Sequence, residues 1–379
     1  MPIAAFYFLY FAAVGILIPY IPPYLRSLGL SGAEIGALMS IAPLMMVVVP
    51  PVWGFFADRS QRVSSLLKIA ALGAGLAFAP LLGVTAFWAI AAMLVVHAIF
   101  FTPITALADT VAIAEARRLG TEYGRLRLWG SVGFIVASLA FSLHLEAGGA
   151  RVHAVWAVST LLVSAGLVAA LHRSEPVAAA RPSVRDAARL LTDPRLVAFL
   201  LAGALHWASA APYHLLYAVH LEDLGVLPRY VGVGLGLAVV AEVVVMWRFA
   251  SIRRRAPLLS LLAIAFLATA LRWLLTGWAT TGAALAAAQV LHGLTFGLFY
   301  VASIAYLEKV VPGGLLGTGR ALFSAIAMGL GGAGGNALAG VLYDVGGGSL
   351  AFFAAAGLSL LAPILVFVAA RGRANADAV

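Results

Sequence analysis

The chain has 379 residues, 63% of them hydrophobic and 10% charged, with a formal net charge of +9 and a mean hydropathy of +1.03. A water-soluble domain carries about a quarter charged residues, so this composition excludes a chain that could cover itself in water. The lack of cysteine excludes disulfides, thiolate metal sites and cysteine nucleophiles.

Twelve apolar stretches follow in chain order, at 3–22, 35–56, 66–84, 87–108, 128–146, 152–172, 195–217, 230–249, 257–276, 283–306, 318–342 and 349–370. A helix of roughly twenty apolar residues satisfies its own backbone across the hydrocarbon core, where lipid offers no hydrogen-bond partner. The expected class is an all-α polytopic membrane protein with twelve transmembrane helices. With the N-terminus inside, twenty of the 24 Lys and Arg fall in the even-numbered loops and the C-terminal tail. Arg26, Arg151 and Arg229 fall in the outer loops, and Arg272 stands inside a span. Positive residues are retained on the cytoplasmic side, so both termini are expected there. The same rule explains the net charge without nucleic acid. The first stretch has no basic region before it and no small-residue cleavage site after it, and reads as a retained span. A bacterial inner (cytoplasmic) membrane is the expected home.

Residues 173–194 form the longest polar stretch, with Arg173, Arg181, Arg185, Arg189, Pro176 and Pro182. They separate six spans from six, and the two sets match at a nearly constant offset. Leu25-Arg26-Ser27-Leu28-Gly29 answers Leu221-Glu222-Asp223-Leu224-Gly225 after 196 residues, as Gly36 answers Gly232. Trp53-Gly54-Phe55 answers Trp247-Arg248-Phe249 after 194, while His97 answers His292 and Arg125 answers Arg320 after 195. Two pseudo-symmetric six-helix bundles are therefore expected, at 1–172 and 195–379, joined by a cytoplasmic linker at 173–194. Such a pair places a solute site between its halves near the bilayer midplane. Pro19, Pro22, Pro23, Pro43, Pro50, Pro51, Pro103 and Pro212 interrupt helical hydrogen bonding and are expected to bend helices near that site.

A charge at the bilayer centre costs at least ~3 kcal/mol on insertion scales, so the residues that accept the cost are the functional candidates. Asp109 lies toward the inner end of the fourth span. Glu242 is thirteen residues into the eighth, Arg272 is in the outer part of the ninth, and His292 is nine residues into the tenth. At ~1.5 Å per residue the last three could meet through long side chains or water. A carboxylate beside an arginine is held ionised, and one deprived of it or dried out takes up a proton. That exchange is the basis for coupling a proton to a solute. Gly54…Asp58-Arg59…Arg62 forms a second constellation. Gly54 would let a helix approach, and Asp58 could accept from a helix N-terminus and pair with arginine, making a conformational latch. Tyr7, Tyr10, His206, Tyr213, Gln289, Phe296 and Tyr300 are candidates for the cavity wall, because solute sites combine apolar surfaces with few polar groups.

These residues resemble the major facilitator superfamily over essentially the whole chain. Gly54…Asp58-Arg59…Arg62 is similar to its signature between the second and third helices. Phe6-Tyr7-Phe8, Ile18-Pro19-Tyr20-Ile21-Pro22-Pro23-Tyr24-Leu25 and Tyr123-Gly124-Arg125-Leu126-Arg127-Leu128-Trp129-Gly130-Ser131-Val132-Gly133 resemble the lactose permease and phenylpropionate transporter branch. The resemblance implies that Arg127 binds substrate with Asp109 as its acidic partner, and that Glu242, Arg272 and His292 form the proton and substrate site. Three positions depart from lactose permease. Thr295 stands where the proton-carrying carboxylate would be, Gln289 replaces a Lys, and Phe134 replaces the Trp on which a sugar stacks. The stretch Gln289-Val-Leu-His292-Gly-Leu-Thr-Phe296-Gly, with Arg272-Trp273, looks more like the phenylpropionate-type members.

The expected function is secondary active transport: proton-coupled symport, in the uptake direction, of a small organic solute by alternating access. An aromatic acid comes first, then a sugar or nucleoside; the alternative is a proton-driven drug or metabolite exporter of the same fold. No metal-ligand helix motif, Gly-x-Ser-x-Gly elbow or Walker loop is present, so no enzyme activity, metal or cofactor is expected. The expected partners are the solute, protons and the lipid bilayer, with the chain as a monomer.

Overall fold

The computed structural model describes residues 2–60, 62–171 and 184–376. The first eleven residues of the expected linker, 173–183, lie outside the described residues. Among the described residues the chain is helical: α1 (Pro2–Ser27), α2 (Gly32–Ser60), α3 (Val63–Phe78), α4 (Phe87–Phe101), α5 (Ile104–Leu119), α6 (Tyr123–Glu146), α7 (His153–Ala169), α8 (Val184–Leu190), α9 (Pro194–Asp223), α10 (Arg229–Arg253), α11 (Leu258–Trp278), α12 (Gly282–Ala288), α13 (Phe299–Val310), α14 (Leu316–Phe323) and α15 (Gly332–Ala376). Ten described segments are long and apolar enough to cross a membrane, and His153–Ala169 is a shorter apolar helix. One of the ten, Gly313–Val366, is two crossings, because non-helical Gly346 and Gly347 interrupt α15. Gly347 has φ +70°, open to glycine and strained for other residues. The total is twelve crossings among the described residues.

The helices run past the apolar stretches because local caps, not hydropathy, end them. Ser31 and Glu34 form a reciprocal capping box at the start of α2, through Ser31 N to Glu34 Oε2 at 2.8 Å and Glu34 N to Ser31 Oγ at 3.2 Å. Asp193 caps α9 by accepting from Arg195 N at 2.8 Å, with Pro194 at the first helical position. Gly120, at φ 61°, closes α5. Helices α1, α2 and α9 stay helical through Pro19, Pro22, Pro23, Pro43, Pro50, Pro51 and Pro212. Only Pro103 of the eight stands in a break, between α4 and α5.

Within residues 2–171, α1 packs on α6 and α7, and α3 packs on α4 and α7. Within 184–376, α9 packs on α15, and α11 on α13 and α15. The polar links between these two sets gather at one end. Arg26 pairs with Asp223 at 2.6 Å, Arg151 with Glu222 and Arg229 with Glu146. Asp344 accepts from the N–H groups of Gly32 at 2.7 Å and Ala33 at 2.8 Å, capping α2 from α15. Below this cap α2 and α15 touch through backbone, since a Cβ on Gly340 would lie 2.2 Å from the Gly32 carbonyl oxygen. Asn336 Nδ2 donates to the Met39 carbonyl and Ser40 Oγ to the Ala333 carbonyl, at 3.0 and 2.8 Å. This end is closed. Glycines with nothing within 4 Å of a built Cβ fall at both ends, Gly29, Gly148, Gly225 and Gly347 at this one and Gly54, Gly124, Gly313, Gly314 and Gly317 at the other. There the apolar core around Leu196, Phe199, Tyr306 and Phe323 holds residues of 184–376 alone.

Candidate functional site

In α11, Arg272 is 1% exposed and needs partners for five N–H donors. Its Nε and Nη2 donate to Gln289 Oε1 at 3.0 and 2.6 Å. Its Nη1 reaches Thr295 Oγ1 at 2.9 Å and His292 Nδ1 at 2.8 Å. The guanidinium also lies over the rings of Tyr213, at 4.1 Å, and Trp273, at 4.4 Å. Among the described residues no carboxylate pairs with it directly. Arginine can only donate, so His292 Nδ1 accepts and the ring proton of neutral His292 sits on Nε2. That nitrogen is 3.6 Å from Glu242 Oε2. The buried charge, the imidazole and the carboxylate thus lie in a row, with His292 hydrogen-bonded to Arg272 and just beyond hydrogen-bond reach of Glu242.

The backbone around His292 is built for this. Residues Gly293–Leu298 form a π-helical turn, as do Ser324–Gly331, and such turns are frequent at functional sites. A Cβ on Gly293 would lie 2.7 Å from the Ala241 carbonyl oxygen, and one on Gly297 3.2 Å from that of Glu242. The two glycines therefore bring this turn against α10 at Glu242. His206 braces it from behind: its Nε2 bonds the Thr295 carbonyl at 2.8 Å and its ring stacks on Phe299 at 3.8 Å. A cavity of about 20 Å³, lined by Arg272, His292, Thr295, Tyr213, His206 and His214 among others, adjoins this row and is large enough for a single water.

In the other half, Asp109 of α5 accepts from Tyr7 at 2.6 Å and Tyr123 at 2.9 Å. The expected pairing with Arg127 is absent: two phenols occupy the Asp109 carboxylate, and the Arg127 guanidinium lies over Phe11, at 3.9 Å, and Tyr7, at 5.4 Å. Among the described residues nothing accepts a hydrogen bond from Arg127. The two halves meet along α6 and α10, where a Cβ on Gly232 would stand 2.7 Å from Leu139 Cα and one on Gly236 3.5 Å from Ile135 Cγ2. Extending that antiparallel register by two turns brings Glu242 to the level of Gly130 and Arg127.

Other candidates take different places. Tyr10 is buried and bonds Thr105 at 3.0 Å. Tyr213 is the ring beneath Arg272. Gln289 is wholly buried with its amide committed, since Nε2 donates to Thr276 Oγ1 and the Leu285 carbonyl. His206 lines the cavity as expected, whereas Gln289, expected at the wall, stands behind it as a support. Phe296 stacks on His292 with rings 5.2 Å apart and 4° from parallel. Half-buried Phe134 anchors α6 on α1, its carbonyl oxygen 2.7 Å from a Cβ built on Gly15. In the latch segment Arg59 and Arg62 are exposed and the Asp58 side chain lies outside what is described. The close helix approach expected at Gly54 is absent in this conformation. Sequence reasoning missed Tyr123, Phe11 and Thr295 as partners. A phenol at 123 carries no signal without knowing that α6 starts beside Asp109.

A twelve-crossing helical chain with ionisable side chains turned inward from both halves defines a membrane carrier of small solutes. The profile of the MFS_1 like family matches residues 1–354, and the chain belongs to that family. It is similar to the maltose permease of Geobacillus stearothermophilus, 29% identical over 334 residues that cover 86% of this chain and 83% of that one. It is equally similar to the probable 3-phenylpropionic acid transporter of Escherichia coli (strain K12), 29% identical over 332 residues, 85% of this chain and 86% of that one. Among solved structures, a mutant of the nucleoside transporter NupG matches with a TM-score of 0.88 at 18% identity, covering 97% of this chain and 98% of that one. The chain is a secondary transporter of the major facilitator fold, not an enzyme.

Proposed function

We propose that this carrier is a proton-coupled symporter taking up a small organic solute by alternating access. The moving bodies are residues 1–172 and 195–379, with 173–194 as the cytoplasmic linker, in a bacterial inner membrane with both termini inside. The observation that carries this reading is the Arg272–His292–Glu242 cluster in one half, with Arg127 at the same level of the α6–α10 contact in the other. Glu242 is the proton-responsive carboxylate. His292 transmits the field of Arg272 to it, and Asp109, fixed by Tyr7 and Tyr123, sets the charge beside Arg127.

With the positive-inside orientation, the closed end is periplasmic and the open end cytoplasmic. Solute and proton enter when the three ion pairs and the Asp344 cap part. They leave when those links re-form and the Gly54–Arg62 segment disengages. Exposed ion pairs are worth ~0–1 kcal/mol each, which suits contacts that must break in every cycle. The latch reading of Gly54, Asp58, Arg59 and Arg62 gives them the matching task on the cytoplasmic side.

Glu242→Gln in proteoliposomes is expected to abolish pH-gradient-driven accumulation while sparing solute exchange. Accumulation that survives this substitution overturns the coupling role. Uptake in right-side-out vesicles, compared with inverted ones, separates symport from export.

A further inference from the structure

We propose that His144 and His153 form a two-imidazole site for a divalent ion of the nickel or copper class, and that the bound ion steadies the closed end of the carrier. The site stands apart from the Arg272–His292–Glu242 row and does not depend on which solute is carried.

Among the described residues these are the only exposed histidines. They are nine residues apart in the chain, yet His144 Nε2 and His153 Nδ1 lie 2.8 Å from each other. The turn between α6 and α7 is shaped to bring them together. Gly149 N donates to the His144 carbonyl at 2.9 Å and Gly148 N to the Leu145 carbonyl at 3.1 Å, which closes α6 in a Schellman motif. Gly148 has φ +88°, a conformation open to glycine. A Cβ on Gly149 would collide with His144 Nε2, so glycine there leaves room for the ring. That ring leans on Phe141, with centroids 5.6 Å apart, and His153 is the first residue of α7.

Imidazole suits nickel, copper and zinc as a ligand. Two metal–nitrogen bonds of about 2.0–2.1 Å meeting at a right angle put their nitrogens about 2.9 Å apart, whereas a tetrahedral angle puts them about 3.4 Å apart. The square-planar geometry of Cu2+ and Ni2+ therefore fits the observed 2.8 Å with less movement than tetrahedral zinc. In the hydrogen-bonded pair one facing nitrogen donates to the other. With both rings neutral, binding moves that proton to the far nitrogen of its own ring, where water accepts the bond, and both facing nitrogens then offer lone pairs. Among the described residues no set of three or more His, Cys, Asp or Glu is placed to hold a metal. Water accordingly fills the remaining positions, and the ion exchanges with solution.

The same turn carries the grip of one half on the other. Arg229 Nε of α10 donates to Glu146 Oε2 at 2.8 Å, and Arg151 pairs with Glu222 at the end of α9. An ion joining the end of α6 to the start of α7 fixes the segment from which Glu146 and Arg151 reach across. The two nitrogens already face each other with this end shut, and a ligand favours the conformation in which its site is formed.

The test uses untagged full-length protein and Ni2+ alone, with Mg2+ as the oxygen-seeking control. The chain has no cysteine, so no thiol competes for the ion. Thermal unfolding should shift upward at a Ni2+ concentration at least tenfold below any effect of Mg2+. His144→Gln and His153→Gln are each expected to raise that concentration at least tenfold. A Ni2+ response that survives both substitutions, or that Mg2+ matches, overturns the site. A readout free of variants is the electron paramagnetic resonance spectrum of the wild-type protein with equimolar Cu2+. Coupling to two imidazole nitrogens is expected, and coupling to one or none overturns the site. Maleimide labelling of Val219→Cys at the closed end should slow at least several-fold in Ni2+, and should not slow when His144→Gln is added. Ni2+ that binds while labelling keeps its rate overturns the steadying role.

Discussion

Gly340→Ala tests whether the closed end is held by backbone contact between α2 and α15. The new Cβ would stand 2.2 Å from the Gly32 carbonyl oxygen and 3.1 Å from Gly36 Cα. Neither neighbour is a side chain that can rotate away, so the helices must separate by about 1 Å to reach ordinary contact. Overpacking of this kind costs ~1–3 kcal/mol, and only the conformation with this end shut incurs it. The equilibrium should therefore move toward opening by roughly 5- to 150-fold. The native chain has no cysteine, which makes the assay direct. Val219 is 2% exposed and lines a 220 Å³ vestibule at the closed end with Arg26, Tyr343 and Asp344. A lone cysteine introduced by Val219→Cys should react with maleimide at least several-fold faster in the Gly340→Ala background, while one introduced by Gly317→Cys at the other end reacts more slowly. An unchanged or slower rate at 219 would refute the idea that this crossing holds the end shut.

Two further outcomes follow from the same contacts. Asp344→Asn keeps one acceptor for the α2 N-terminus but loses the charge, so a cap worth ~1 kcal/mol weakens. Labelling at Val219→Cys should then rise a few-fold in low salt and less in high salt; salt-independent labelling would count against an ionic cap. Gln289→Leu strips the acceptor from Arg272 Nε and Nη2 and leaves a buried cation short of partners, which costs ~3 kcal/mol or more. Thermal unfolding should show a large loss, recovered in part by adding Arg272→Met. A stable single variant would mean that water reaches the guanidinium.

The crossings were legible because lipid imposes one solution on every spanning backbone, and hydropathy finds it. Their ends were less so: 3–22 became Pro2–Ser27, because the helix continues past prolines that still have suitable backbone angles. Glu242, Arg272 and His292 could be read from their cost alone, and they do meet. Thr295 could not, since a hydroxyl in an apolar span is cheap and becomes informative only when a guanidinium is seen to need it. The π-helical turn at Gly293–Leu298 was equally hidden. The two glycines signal a close approach, but only the position of α10 decides which backbone they meet. Asp344 lies 312 residues from the N–H it caps, a distance no local pattern spans. Asp109 was found as a charge, but the arginine partner that the family resemblance implied is replaced in this structure by the phenols of Tyr7 and Tyr123.

The two arginines divide the work. Arg272 is enclosed, and every polar group holding it is neutral, so its positive charge is fixed but not cancelled. That field reaches Glu242 through His292 in every conformation in which α11 and the tenth crossing stay packed, and both belong to the same half. Arg127 has aromatic faces beneath it, no acceptor in front of it, and stands on the opposite half. In the proposed alternating-access cycle the distance from Arg127 to Glu242 would change while that from Arg272 would not. In the proposed symport one cation would therefore set a constant bias on the carboxylate, and the other would make its charge state depend on which side is open and on whether a solute has taken the guanidinium. Coupling of the proposed kind would need both: a bias alone would hold one charge state throughout the cycle, and a moving cation alone would leave a buried carboxylate with nothing to offset its desolvation when the halves part.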